Sequence, residues 1–130
     1  MIKITKKQVE AIENLPPIER YHHSIKMIAD REYLYSLLDN NGNWELAKAE
    51  GETLFFIWSA EEYAQLFLTD QWKESIVEKV TVSELNDEIL PFLNEHGYLL
   101  NIHAVSNKSG FVVTPTEFSN DLNNELENYL

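Results

Sequence analysis

The stretch FFIWSAEEYAQLF, residues 55–67, changes its period halfway along. It continues the run TLFFIW, residues 53–58, which is apolar on both sides and predicts a strand in the middle of a sheet. From Ala60 onward, Tyr63, Ala64, Phe67 and Leu68 follow at i+3, i+4, i+7 and i+8, the period of an amphipathic helix. Ser59 stands where the two periods meet. Its hydroxyl is predicted to cap the helix, with Glu62 as the reciprocal acid of a capping box. Glu61 and Glu62 look like a paired acid and base, but on a helix they diverge by about 100° and cannot face one substrate bond. Both carboxylates suit the positive end of the helix dipole instead. Trp58 is predicted to pack at a core edge. Glu62→Ala is predicted to cost stability, on the order of 1 kcal/mol, rather than an activity.

Upstream, Asp39-Asn40-Asn41-Gly42 and Glu50-Gly51-Glu52 read as turns. Residues 33–38, 43–49 and 53–58 are therefore predicted as a three-strand meander, although EYLYSLL, residues 32–38, also fits a helical continuation. Thr5-Lys6-Lys7-Gln8 fits a capping box opening a short helix that Pro16 and Pro17 end. Pro17 opens a second helix running to about Asp30, with Ile18, Tyr21, Ile25 and Ile28 as its buried face.

Downstream, SIVEKVTV, residues 75–82, predicts a strand with Val80 and Val82 on one face. Ser83 is predicted to cap the next helix, with Leu85, Ile89, Phe92 and Leu93 on its inner side. Pro91 should kink or split that helix, and Gly97 should end it. YLLNIHAV and GFVVT form a hairpin across Ser106-Asn107-Lys108-Ser109. Thr114-Pro115-Thr116-Glu117 opens a last, acidic helix with Phe118, Leu122, Leu126 and Tyr129 facing inward. The order is α-α-β-β-β-α-β-α-β-β-α. Hairpins dominate it, which implies one α+β domain over residues 1–130, with a mainly antiparallel sheet of about five to six strands and helices packed against it.

Composition narrows the functions. The chain has 130 residues, 44% hydrophobic and 25% charged, so it can build a real core. It has no cysteine, which excludes disulfides and thiolate zinc sites. No apolar segment follows the basic start MIKITKK, and LFFIW is far too short to span a bilayer, so neither a signal peptide nor a membrane anchor is expected and the cytoplasm is the default. The net charge is −12. Residues 1–40 hold six basic and six acidic side chains, whereas residues 41–130 hold four and sixteen. That field repels phosphate backbones, arguing against direct DNA or RNA binding, and it would attract a basic partner. Solubility alone is the plainer account of it.

Motifs for chemistry are sparse. His22 and His23 lie about 100° apart on a helix and cannot chelate together as an i, i+4 pair would. His96 falls in the last turn of a helix, where a cation suits the dipole, and His103 shares a strand face with Asn101. There is no HExxH, no G-x-S-x-G and no Gly-rich phosphate loop, so no metal, cofactor or catalytic residue is predicted. Tyr21, His22, Asn101 and His103 form a polar set that reads as a helix–sheet contact or as a ligand pocket. Trp72, in TDQWKES, reads as an exposed interface anchor or as a ring packed over a helix end.

Three segments in order also resemble one family. LPPIERYHHSIKMIAD resembles its N-terminal Leu-Pro…Arg-Tyr…Ala-Asp helix, FFIWSAEEYAQLF its strand–Trp–turn–Glu-Tyr-Ala segment, and VVTPTEFSNDL its C-terminal strand–Ser/Thr-Pro–helix. The chain is similar over nearly its whole length to the bacterial domain of unknown function numbered 2750. It departs from that pattern at Ser59, where many members carry Pro; both residues start helices. The resemblance implies a fold and no activity, cofactor or catalytic residue.

Two readings follow. The first is a non-enzymatic binding module that engages, and could neutralise, a basic partner such as a nuclease-type toxin. Asp121, Glu125 and Glu127 would steer the encounter, and exposed aromatics such as Trp72 would anchor it. The second is a small-molecule site or enzyme centred on Tyr21, His22, Asn101 and His103, which requires those groups to converge.

Overall fold

The computed structural model describes residues 4–106 and 108–129. Two helices come first, α1 (Lys6–Glu13) and α2 (Pro17–Arg31). Strands β1 (Tyr33–Leu38), β2 (Leu46–Ala49) and β3 (Glu52–Ile57) follow, then helix α3 (Glu61–Phe67) and a 3₁₀ turn, Asp70–Trp72. Next come β4 (Ile76–Thr81), a helix α4 over residues 82–96, β5 (Leu99–Ile102), β6 (Phe111–Val113) and α5 (Pro115–Leu126). EYLYSLL is thus a strand, and the predicted α+β order holds.

The strands form a four-stranded sheet in the order β2-β3-β5-β6 and a two-stranded ribbon of β1 and β4. Three of the four ladders are antiparallel, and the central pair β3–β5 is parallel, with Phe56 opposite Asn101. A parallel pair needs a long crossover, and α3, β4 and α4 lie within it. The predicted meander is incomplete. β1 touches the chain before β2 only through the Leu38–Trp44 bridge, and its full ladder is with β4. A second bridge, Tyr35–Trp58, joins ribbon to sheet through two 2.9 Å backbone hydrogen bonds.

Alternation along β3 and β5 divides the interior in two. Phe55, Ile57, Leu100 and Ile102 join the larger core with Ile25 and Ile28 of α2, Leu85 and Leu93 of α4 and Phe118 and Leu122 of α5. Phe56 and Trp58 face the other way, toward Tyr63, Ala64 and Phe67 of α3, Val9 of α1 and Ala104. Trp58 is fully sealed: its ring stacks on Phe56 at 5.3 Å and its Nε1 donates to the Ala104 carbonyl at 2.9 Å. The indole thereby buries its one polar atom without loss.

Local signals set most helix ends. Thr5 with Gln8 and Thr114 with Glu117 make the predicted capping boxes, and Gly97 closes α4 at φ 70°. Two predicted caps are wrong. The N-cap of α3 is Ala60, which has no side-chain acceptor, and no capping box forms with Glu62. Ser59 is fully buried, and its Oγ turns to the Met27 sulfur at 3.4 Å. For α4 the cap is Thr81, boxed with Glu84, two residues before Ser83. Thr81 ends a strand and caps a helix at once, so a strand-ending pattern hides it.

Two predicted inner residues face out. Ile18 is exposed because it lies in the first turn of α2, ahead of the packed stretch. Phe92 is exposed because α4 opens into a π turn, Leu85–Ile89, immediately before Pro91. The Leu90 N–H reaches back to the Leu85 carbonyl, and the extra residue rotates Leu90 inward and Phe92 outward. Pro91 therefore interrupts the helix as predicted, through a change of pitch. Phe92 rests on the His96 ring at 4.4 Å. Phe118 and Leu122 are buried as predicted, Leu126 packs partly against the larger core, and the side chain of Tyr129 lies outside the described residues.

Candidate functional site

Polar groups singled out by the sequence fall in three places. The first is a cleft between α2 and α5, about 210 Å³, lined by Tyr21, His22, Ile25, Lys26, Asp121 and Glu125. Helical spacing puts it together, because Tyr21 and Ile25 are one turn apart on α2, as are Asp121 and Glu125 on α5. Tyr21 is buried, with its ring against Phe111 at 4.9 Å and its hydroxyl donating to Asp121 Oδ2 at 2.6 Å. Burial first, then the hydrogen bond and negative charge of Asp121, raise the Tyr21 pKa far above the ordinary tyrosine value. The phenol stays protonated and cannot serve as a base at neutral pH. His22 is exposed beside it.

The second place lies around His103. Its backbone N–H continues the β3–β5 ladder by donating to the Ile57 carbonyl at 2.8 Å, but its φ of 57° turns the chain into the following loop. The ring is 1% exposed, stacks on Tyr63 at 4.5 Å and has no hydrogen-bond partner at either nitrogen. Burial, then the nearby Arg20 and His23, push its pKa down to about 3. The imidazole is neutral, and no described cavity opens on it.

Arg20, 2% exposed, spans from α2 to the loop after β5. It donates to the His103 carbonyl at 3.0 Å and to the Ser109 carbonyl at 3.4 Å, and its Nε is unpaired. Burial lowers its pKa, while Glu13 opposes the shift. The residue was not among the predicted candidates. A signal existed: Arg20, Ser24 and Ile28 are one turn apart, all buried, and Ser24 is small enough to let the helix approach.

The third place is on the opposite face of the sheet from α2 and α5. Asn101 is buried, alternating with Leu100 and Ile102, and its Oδ1 accepts from the Gly110 N–H at 2.8 Å. It lines an open cleft of about 410 Å³ floored by Leu54 and Phe56 and walled by Trp72. Trp72 is half-buried, edge-on to Phe56 at 5.0 Å. The ring packs against the floor of the cleft and also lines its open space.

The structure therefore does not bring Tyr21, His22, Asn101 and His103 together. Strand alternation divides them: Tyr21 packs under the face of Leu100 and Ile102, Asn101 points through to the other, and His103 is sealed beneath α3. It does bring Tyr21 and His22 to Asp121 and Glu125, members of the predicted interface set. Glu127 is exposed, just past the end of α5, and Trp72 lies elsewhere on the surface. Among the described residues, no group of three or more His, Cys, Asp or Glu could hold a metal ion, and no helix is long and apolar enough to cross a membrane.

No curated protein matches the chain. A family model matches residues 21–122, from the buried tyrosine of α2 to a core leucine of α5, and so takes in both faces of the sheet, though Arg20 and Glu125 lie just outside it. The chain belongs to that family, described as protein of unknown function (DUF2750).

Proposed function

We propose that the chain is a non-enzymatic binding module whose acidic face meets a basic protein partner. The observation that carries this reading is the α2–α5 cleft, where Asp121 and Glu125 stand over the buried Tyr21. The cleft is about 210 Å³, a size suited to one basic side chain rather than to a substrate. Buried Tyr21 holds Asp121 in place through the 2.6 Å hydrogen bond, so this carboxylate is presented at low entropic cost. The charge of −12 supplies long-range attraction, and Glu127 extends the acidic surface past the end of α5. The charge also disfavours nucleic acid as the partner.

The test is capture from native lysate across a salt series, with the wild-type chain and an Asp121→Asn/Glu125→Gln/Glu127→Gln variant as baits. Asn keeps an acceptor for the Tyr21 hydroxyl, so the fold is preserved. A basic protein held by the wild type and released by salt or by the substitutions is then purified and titrated. Retention of nothing at low salt, or of the same proteins by both baits, sinks the reading. The rival reading of a pocket with Tyr21, His22, Asn101 and His103 at its centre draws no support from groups that lie in three places.

A further inference from the structure

We propose that the cleft over the Phe56 face of the sheet is a binding site for a small, uncharged, planar ring bearing a hydrogen-bond acceptor. It lies across the sheet from the α2–α5 cleft and does not depend on the binding-module reading. The floor is Phe56 and Leu54, and the Trp72 ring forms one wall. That ring is fixed: it meets Phe56 edge-on at 5.0 Å and Phe67 at 6.0 Å, and Phe56 in turn stacks on the sealed Trp58. A rigid, half-exposed indole beside an apolar floor is a stacking platform for another flat ring. The volume of about 410 Å³ is in the range of small-molecule sites.

The polar group is Asn101. It is 4% exposed, yet it lines the cleft. Its Oδ1 is taken by the Gly110 N–H, which fixes the amide and leaves the Nδ2 group as donor. Nδ2 is therefore the half of the amide left to donate to a ligand acceptor in the cleft that Asn101 lines. Gly110 is built for this arrangement. A Cβ there would lie 2.0 Å from the Ile102 carbonyl oxygen and 2.7 Å from Asn101 Oδ1, so no other residue allows the same approach. The walls are also tied together, since Thr69 and Ser106 hydroxyls meet at 3.4 Å and Ser106 donates to the Leu66 carbonyl at 3.2 Å.

Charge disfavours an anionic ligand. Lys108 and Asp70 both line the cleft, so the lining carries no net charge, and the field of the whole chain repels anions.

Nicotinamide and adenosine serve as probes, with cyclohexanol as a non-planar control and benzoate as an anionic one, titrated into the full chain and followed by two-dimensional NMR. The expected result is a saturable shift of the Trp72 indole and Asn101 side-chain amide signals with either planar neutral probe and not with the controls. Trp72→Leu should weaken binding about tenfold, as should Asn101→Ala. If Asn101→Ala does not fold, Trp72→Leu and the wild-type shift map decide the matter. No saturable shift with either probe, shifts centred away from Trp72 and Asn101, or equal binding of cyclohexanol would each overturn the proposal.

Discussion

The two faces of the four-stranded sheet are made from alternate residues of the same strands, yet only one of them borders an open cleft of about 410 Å³. Phe55, Ile57, Leu100 and Ile102 lie under α2, α4 and α5 and are almost entirely sealed. Phe56, Trp58 and Asn101 lie on the face covered by the two short helices α3 and α1 and a 3₁₀ turn. A helix of 7 residues is about 10 Å long and cannot roof four strands. The covered face is mostly aliphatic, with room only for packing. The open face is built of rings, carries a buried amide and retains a cleft. The shortness of the covering helices, more than the apolar character of the strands, leaves room for another molecule to enter.

Substitutions can break or sharpen that contrast, beginning with the largest effect. Phe55→Ala removes a fully buried ring from the closed face and should cost about 3–5 kcal/mol in urea denaturation. Trp72→Leu at the open cleft should cost about 1 kcal/mol. Equal losses would mean that the open face is as much a core as the closed one.

His103 lies under α3, on the side of the open face. Its folded-state pKa is depressed to about 3, so the unfolded chain takes up a proton that the folded chain refuses. The stabilising contribution is complete above the ordinary histidine value and is lost as pH falls from there toward about 3, by up to about 1.4 kcal/mol per pH unit. Urea melts stepped through that window give the slope, and His103→Phe should flatten it by one proton, whatever it costs at neutral pH. An unchanged slope would show that the ring is not sealed.

Gly110→Ala forces a methyl group against the Ile102 carbonyl and should cost about 1–3 kcal/mol, read from the thermal midpoint. It should also displace the Asn101 amide signal. A neutral effect would mean that the loop after β5 gives way freely.

The smallest contrast is between two hydroxyls at helix starts. Thr81→Ala removes a working cap from α4 and should cost about 1 kcal/mol. Ser59→Ala leaves α3 with the cap it already has, and Glu62→Ala removes no capping box, so each should stay within about 0.5 kcal/mol. Denaturation curves of the three variants side by side decide this, and a larger loss for Ser59→Ala would restore the hydroxyl as the true cap.

FFIWSAEEYAQLF shows how far the sequence reaches. The change from strand to helix was legible, as was the rejection of Glu61 and Glu62 as a catalytic pair. The cap was not, because Ser59 is buried by contact with Met27 of α2, some thirty residues earlier. The sites were legible in pieces. Tyr21, Asp121 and Glu125 each stand out as residues, but Tyr21 and Asp121 are 100 positions apart and their meeting depends on how α2 and α5 pack. Gly110 gave no turn or cap signal, since what excludes a side chain there is a carbonyl on β5.

By itself the sequence determined what depends on neighbours a few residues away. The capping boxes at Thr5 and Thr114, the glycine cap at Gly97, the apolar strand ahead of α3 and the interruption at Pro91 follow from hydrogen bonds and steric clashes within one or two turns. Only the tertiary structure decided that β1 pairs with β4, that β3 and β5 run parallel, that Phe92 turns outward and that Asn101 and Trp72 line one cleft. Alternation says which side chains share a face of a strand; it does not say which strand lies alongside or which face stays uncovered. Those choices are made by the total surface buried when distant segments meet.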